Sequence, residues 1–199
     1  MEIDDLGRDP VAALRGWYEE ALTCGMKEPS GMTLATVGDD GKPDARIVLL
    51  KGIEDGGALR FYSNYSSAKG QQLAANPDAA VVLWWDPLRR QVRVRGQVSR
   101  VSEEDSDAYH AARPRGSQLG AWGSMQSRPI ADRAALDAQF ETQEQRFADA
   151  EVVPRPPHWG GYRLIAREIE FWQHQDERFH DRLLYIRDGA GWTVERLQP

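Results

Sequence analysis

The chain has 199 residues, 41% of them hydrophobic and 28% charged, with a formal net charge of −6. This describes an ordinary globular protein of one large or two small domains. The acidic balance argues against a general nucleic-acid binder, no apolar run reaches membrane-span length, and the single cysteine, Cys24, supplies neither an intrachain disulfide nor a metal framework.

The start, Met1-Glu2-Ile3-Asp4-Asp5, is acidic and has no apolar core. It is not read as a signal peptide, cytoplasmic residence is expected, and residues 1–8 are expected to be disordered or flexible. Val11 to Thr23 is predicted as an amphipathic helix with Leu14, Trp17, Tyr18 and Leu22 on one stripe and Pro10 in its first turn. Met32 to Val37 and Ala45 to Lys51 read as strands around the turn cluster Gly38 to Pro43. The second strand carries apolar residues on both faces, which predicts burial on both sides. A turn at Glu54 to Gly57 leads to a strand over Leu59 to Ser63, and these pieces form a β-meander.

Ser66 to Asn76 is predicted helical with Ser66 as its cap. Ala79 to Trp85 and Gln91 to Val101 are strands. In the latter, Val92, Val94 and Val98 form one face, and Gln91, Arg93 and Arg95 the other. A helix opens at Ser102 with Asp105 three residues on, and runs to about Ala112. Pro114 to Ser127 reads as irregular or briefly helical, and Asp132 to Phe147 as a helix with Leu136, Phe140 and Phe147 along one stripe. After a Pro/Gly loop, Tyr162 to Trp172, Arg178 to Ile186 and Trp192 to Leu197 are the last strands. Roughly eight strands and four helices, joined mostly by tight turns, predict a single α+β domain over residues 1–199 built on an antiparallel barrel with peripheral helices.

Several residues are candidates for chemistry. Read as a strand, Arg178, His180 and Arg182 share one face, which suits either an anionic or electron-accepting ligand or a solvated edge screened by Glu177 and Asp181. Arg46 and Lys51 differ in parity within one strand and so point to opposite faces, toward an acidic partner or a ligand. Ser66-Ser67-Ala68-Lys69 opens a helix with free N–H groups, hydroxyls and an ammonium, either a phosphate cradle or a capped surface turn. Tyr109 and Arg113, spaced i, i+4, and Ser117 just beyond could clamp a second phosphate or simply end a helix. The four histidines show no metal-ligand spacing, and no P-loop, dinucleotide fingerprint or nucleophile elbow is present.

In combination these segments resemble a known family. Arg46-Ile47-Val48-Leu49-Leu50-Lys51, Phe61-Tyr62-Ser63-Asn64, Arg90-Gln91-Val92, Arg113 to Trp122, Gln126-Ser127, Trp159-Gly160-Gly161-Tyr162-Arg163 and Arg178-Phe179-His180-Asp181-Arg182 occur in the order found in pyridoxamine 5′-phosphate oxidases. The resemblance implies an FMN-binding split barrel, a homodimer with FMN at the subunit interface, and oxidation of pyridoxamine or pyridoxine 5′-phosphate by O2 to pyridoxal 5′-phosphate and H2O2. It implies that Arg46, Tyr62, Ser63, Ser67 and Lys69 hold the flavin phosphate and nearby atoms, and that Gln91 contacts the isoalloxazine ring. Gln126, Ser127, Trp172 and Arg182 are implied to reach the flavin from the partner subunit. Lys51, Tyr109, Arg113 and Ser117 would bind the substrate phosphate, and Arg178 and His180 would lie over the pyridine ring. Two departures stand out: Ala68 where the family usually has arginine, and no counterpart of the family's Arg-x-x-Tyr segment before Asp9. A phenazine-type flavin oxidase of another reduced ring, and a non-catalytic FMN or pyridoxal-phosphate binding protein, are the alternative readings.

Overall fold

Strand after strand in this chain alternates buried and exposed residues, and the computed structural model, which describes residues 1–199, joins them into one nine-stranded antiparallel sheet. The strands are β1 (Gly31–Val37), β2 (Pro43–Leu49), β3 (Gly52–Ile53), β4 (Ala58–Asn64), β5 (Asp78–Trp85), β6 (Arg90–Arg100), β7 (Trp159–Gln173), β8 (Asp181–Asp188) and β9 (Gly191–Arg196). The order is β2-β1-β5-β6-β7-β4-β3, with β8 and β9 continuing beside the far half of β7. The sheet curls until the chain after β2 meets β4, where the Lys51 N–H donates to the Arg60 carbonyl at 2.8 Å. This is the antiparallel barrel that the turn-linked strands predicted, in the split form that the resemblance implied.

The curl needs a bend, and a register shift opposite Arg95 and Gly96 supplies it. A Cβ on Gly96 would lie 1.9 Å from the Ile165 carbonyl oxygen, so only glycine permits this approach of two strands. Inside the curl, Leu34, Phe61, Val81, Leu83, Val92, Val94, Leu164, Ile169 and Phe171 are fully buried. Each side chain of this size contributes about 1.5–3 kcal/mol of transfer free energy. Helix α2 (Pro10–Thr23) closes one end of the barrel. Asp9 caps it, and its Trp17 packs edge-on against Phe171 at 5.1 Å.

The remaining helices are α1 (Ile3–Leu6), α3 (Ala68–Ala75), α4 (Glu103–Ala111), α5 (Arg115–Gly123) and α6 (Arg133–Arg146). Ser102 caps α4 as predicted, and Asp132 caps α6, its side chain accepting from the Ala135 N–H.

Four expectations are corrected. Residues 1–8, expected to be flexible, carry α1, and the Met1 ammonium pairs with Asp181 at 2.8 Å. The cap of α3 is Ser67, not Ser66; its Oγ accepts from the Gly70 N–H and donates to the Asn64 carbonyl at 2.7 Å. Strand β2 is an edge strand, not one buried on both sides, and its Ile47 is 64% exposed. Strand β8 begins at Asp181, because Glu177 and Arg178 take left-handed φ values of 57° and 64° in a tight turn before it. Arg178, His180 and Arg182 therefore do not share a strand face.

Candidate functional site

A cavity of about 430 Å³ opens between β2, β4, the start of β7 and helices α4 and α5. Lys51, Tyr62, Ser63, Lys69, Tyr109, Arg113, Ser117 and Gln126 all line it, so the two cation sets read from the sequence converge on one space. Asn64 and Trp159 complete the floor.

One side is held by the α3 turn. Lys69 is 8% exposed, and its ammonium donates to Gln126 Oε1 at 2.9 Å and Ser67 Oγ at 3.3 Å. Neither partner is charged. Burial, reinforced by the nearby Arg46, pulls the Lys69 pKa below the ordinary lysine value. A buried ammonium bonded only to neutral acceptors is the electrostatic counterpart of an anion. Ser63 Oγ reaches the same Gln126 oxygen at 3.3 Å. Gln126 thus lines the cavity of its own chain. Ser127 beside it is exposed, with a left-handed φ of 71°.

Arg46 stands behind this turn, rooted in the sheet. Its Nη1 donates to the Leu34 carbonyl at 3.2 Å and Thr36 Oγ1 at 2.6 Å, and its Nη2 to Gln72 Oε1 at 3.0 Å and to Asp44. Thr36, Asp44 and Gln72 were missed in the sequence. The available signals were the β1–β2 register, which sets Thr36 opposite Asp44, and the placement of Gln72 one helical turn beyond Ala68.

The opposite wall is aromatic and cationic. Tyr62, Tyr109 and Trp159 form a stack, with the Arg113 guanidinium 4.5 Å from the Trp159 ring. Arg113 enters no ion pair, and its buried Nη1 has no hydrogen-bond partner. Burial lowers its pKa, and burial also raises those of Tyr62 and Tyr109, keeping both phenols neutral and able to donate. Lys51 is exposed at the rim and Ser117 lies in the first turn of α5. Arg113, Lys51, Tyr109 and Ser117 thus offer unsatisfied donors to an anion.

The other expected residues cluster elsewhere. Gln91 lies opposite both Trp84 and Trp172 across β5–β6–β7. Trp172 packs against His180 at 4.6 Å, and His180 Nδ1 accepts from the Gln175 N–H at 3.2 Å. Arg182 donates to buried Glu170 at 2.8 Å, and Glu170 also pairs with Arg93 at 3.2 Å. Arg178 is exposed on its turn. Trp159 and Trp172 sit near opposite ends of the 15-residue β7. At about 3.3 Å per residue, the two clusters are tens of ångströms apart along that strand. A single chain does not bring them to one ligand.

Comparison with known proteins gives concordant findings. The family described as "Pyridoxamine 5′-phosphate oxidase" matches residues 18–147, and the "Pyridoxine 5′-phosphate oxidase C-terminal dimerisation region" matches residues 159–199. The pyridoxine/pyridoxamine 5′-phosphate oxidase of Burkholderia lata is 51% identical over 198 residues, covering 98% of this chain and 91% of the relative. That of Rubrobacter xylanophilus is 52% identical over 196 residues, covering 98% and 89%. Among solved structures, PhzG from Burkholderia lata 383, in complex with tetrahydrophenazine-1-carboxylic acid, has a TM-score of 0.91 at 32% identity, covering 100% of this chain and 96% of that one. A pyridoxamine 5′-phosphate oxidase-related, FMN binding protein from Nostoc punctiforme shares the fold, with a TM-score of 0.73 at 22% identity, covering 93% and 97%.

Proposed function

Because the chain belongs to the pyridoxine/pyridoxamine 5′-phosphate oxidase family of FMN-dependent oxidoreductases, we propose that it oxidises pyridoxamine or pyridoxine 5′-phosphate to pyridoxal 5′-phosphate, with O2 reduced to H2O2. The observation that carries this reading is two cation sets at one cavity, Lys69 in one wall with Arg46 behind it on the α3 turn, and Lys51 with Arg113 on the other side. Two phosphates, one on the cofactor and one on the substrate, match two such sets.

The residues fit FMN. A buried ammonium with only neutral partners, the α3 N-terminus and the Ser63 hydroxyl make a donor set suited to a phosphate, while Ser67 Oγ, its own proton given to the Asn64 carbonyl, braces the ammonium. Held there, FMN would supply the two-electron acceptor for the substrate carbon and the route of those electrons to O2. The protein's own work is binding and orientation. Lys51, Arg113, Tyr109 and Ser117 hold the substrate phosphate, and the Tyr62–Tyr109–Trp159 stack walls the cavity and excludes water. Two copies of the chain assemble so that Gln91, Trp172, Arg182, Arg178 and His180 of one approach the cavity of the other. The dimerisation region matched over residues 159–199 and the apolar exposure of Ile47 and Trp84 support this assembly. Within it, Arg178 fixes and polarises the pyridine ring. His180, whose Nδ1 accepts from the Gln175 N–H, presents its other nitrogen as the group that holds or moves a proton.

The likeness to PhzG favours a second reading, oxidation of a reduced tricyclic carboxylic acid. The unpaired Lys51 and Arg113 beside Ser117 fit a phosphate better. The test is to load the purified protein with FMN and compare aerobic turnover of pyridoxine 5′-phosphate with that of a tetrahydrophenazine carboxylic acid. Preference for the second substrate overturns the leading reading.

A further inference from the structure

Arg46 faces the α3 cradle, yet all four of its Nη protons are already committed. Nη1 serves the Leu34 carbonyl and Thr36 Oγ1, and Nη2 serves Gln72 Oε1 and the Asp44 carboxylate. A guanidinium has five N–H donors, so only Nε–H remains. A bidentate clamp on a phosphate needs two donors. One Nη bond must therefore be released, and the bond to Asp44 is the one most easily given up. Asp44 is half exposed, whereas Thr36 is 1% exposed and the Leu34 carbonyl belongs to a sheet strand.

We propose that Asp44 is an internal anion that competes with the cofactor phosphate for Arg46 and thereby sets how tightly FMN is held. The inference rests on the reading of the cavity as an FMN site. Asp44 has the chemistry of a competitor: it is an acceptor-only carboxylate on the same Nη2 that a phosphate oxygen would take. Gln72 strengthens its hold, with Nε2 donating to Asp44 at 3.2 Å while its Oε1 accepts from Arg46 and from Thr36. The Gln72 hydrogen bond and, after it, Arg46 keep the Asp44 carboxyl below its ordinary pKa, so it is anionic at neutral pH. Its charge also acts on Lys69, partly offsetting the effect of Arg46 there. With Arg46 and Lys69 the only cations in this network, the carboxylate cuts the positive charge offered to the phosphate from two to one.

The experiment is titration of apoprotein with FMN and, in parallel, with riboflavin, which lacks the phosphate, for wild type and Asp44→Asn. Flavin fluorescence quenching reads the dissociation constants. The expected result is FMN binding about three- to tenfold tighter in Asp44→Asn, a gain that shrinks as salt is added, with riboflavin affinity unchanged. Asp44→Ala, which also removes the Gln72 contact, separates charge from hydrogen bonding and is expected to tighten FMN similarly. Unchanged or weaker FMN binding in both variants, or an equal change for riboflavin, overturns the competition. Failure of wild type and both variants to bind FMN overturns instead the reading of the cavity on which it rests.

Discussion

The rings of Tyr62 and Tyr109 stack with centroids 3.7 Å apart and planes 11° from parallel. Tyr62 belongs to β4 and Tyr109 to α4, so this contact fastens a peripheral helix to the barrel and sets one wall of the cavity. Aromatic pairs of this kind contribute about 0.5–1.5 kcal/mol beyond the area they bury. Tyr109→Phe is expected to keep the stack and the stability while raising KM for the phosphorylated substrate through loss of the hydroxyl. Tyr109→Ala is expected to raise KM and also lower the urea midpoint. A lowered midpoint in the Phe variant would contradict the division of roles between ring and hydroxyl.

Arg113 has a buried, unpartnered Nη1 and no carboxylate nearby to pair with. Hydrogen bonds to charged groups contribute about 1.5–3 kcal/mol. Arg113→Ala is therefore expected to raise KM for pyridoxine 5′-phosphate roughly ten- to hundredfold, with FMN affinity unchanged. Arg113→Lys is expected to recover little, because a flexible ammonium reproduces neither the planar fork nor the stacking on Trp159. Steady-state kinetics and FMN titration check both statements.

Lys69 gives a pH dependence of definite sign. Burial and Arg46 lower its pKa in the free protein, and a phosphate in the cradle raises it again. FMN binding therefore takes up a proton in the interval between the two values. Affinity is full below the free-state pKa and falls as pH climbs through that interval, which starts below the ordinary lysine value of 10.5. FMN titrations across the alkaline range are expected to show this decline, and Lys69→Met is expected to bind weakly without it.

Much of the barrel was legible in the sequence because its information is local. The alternation of Val92, Val94 and Val98, the cap at Ser102 and the helix after Asp132 depend on neighbours a few residues away, and they match the structure. Ala45 to Lys51 misled because its apolar outer face is not covered within one chain; Ile47 is exposed. The charged run from Glu177 to Arg182 reads as a strand by period, but two left-handed residues turn it into a corner, and backbone handedness leaves no mark on a Glu-Arg pair. Both cation sets were visible as residue types. What remained hidden were their tethers, Gln72 and Thr36 on Arg46 and Glu170 on Arg182, because each depends on tertiary placement: the strand register for Thr36 and Glu170, and the packing of helix α3 against the sheet for Gln72.

Gly70 sits where the α3 cradle meets the preceding turn. A Cβ there would lie 2.2 Å from the Tyr65 carbonyl oxygen. Alanine gains about 0.5–1 kcal/mol of helix propensity, but relieving the clash costs about 1–3 kcal/mol, so the clash wins. Gly70→Ala is expected to lower stability in urea denaturation and to release FMN on gel filtration where wild type retains it. A variant as stable as wild type would show that the cradle backbone has more room than this geometry gives it.

The most direct test of the central claim is aerobic turnover of pyridoxine 5′-phosphate by FMN-loaded protein, following aldehyde and peroxide together, for wild type and Arg178→Ala. The account predicts equal yields of aldehyde and peroxide from wild type, and an Arg178→Ala protein that retains FMN but turns over at least about a hundredfold more slowly. FMN-loaded wild type that forms no aldehyde, or an Arg178→Ala variant with undiminished turnover, would contradict it.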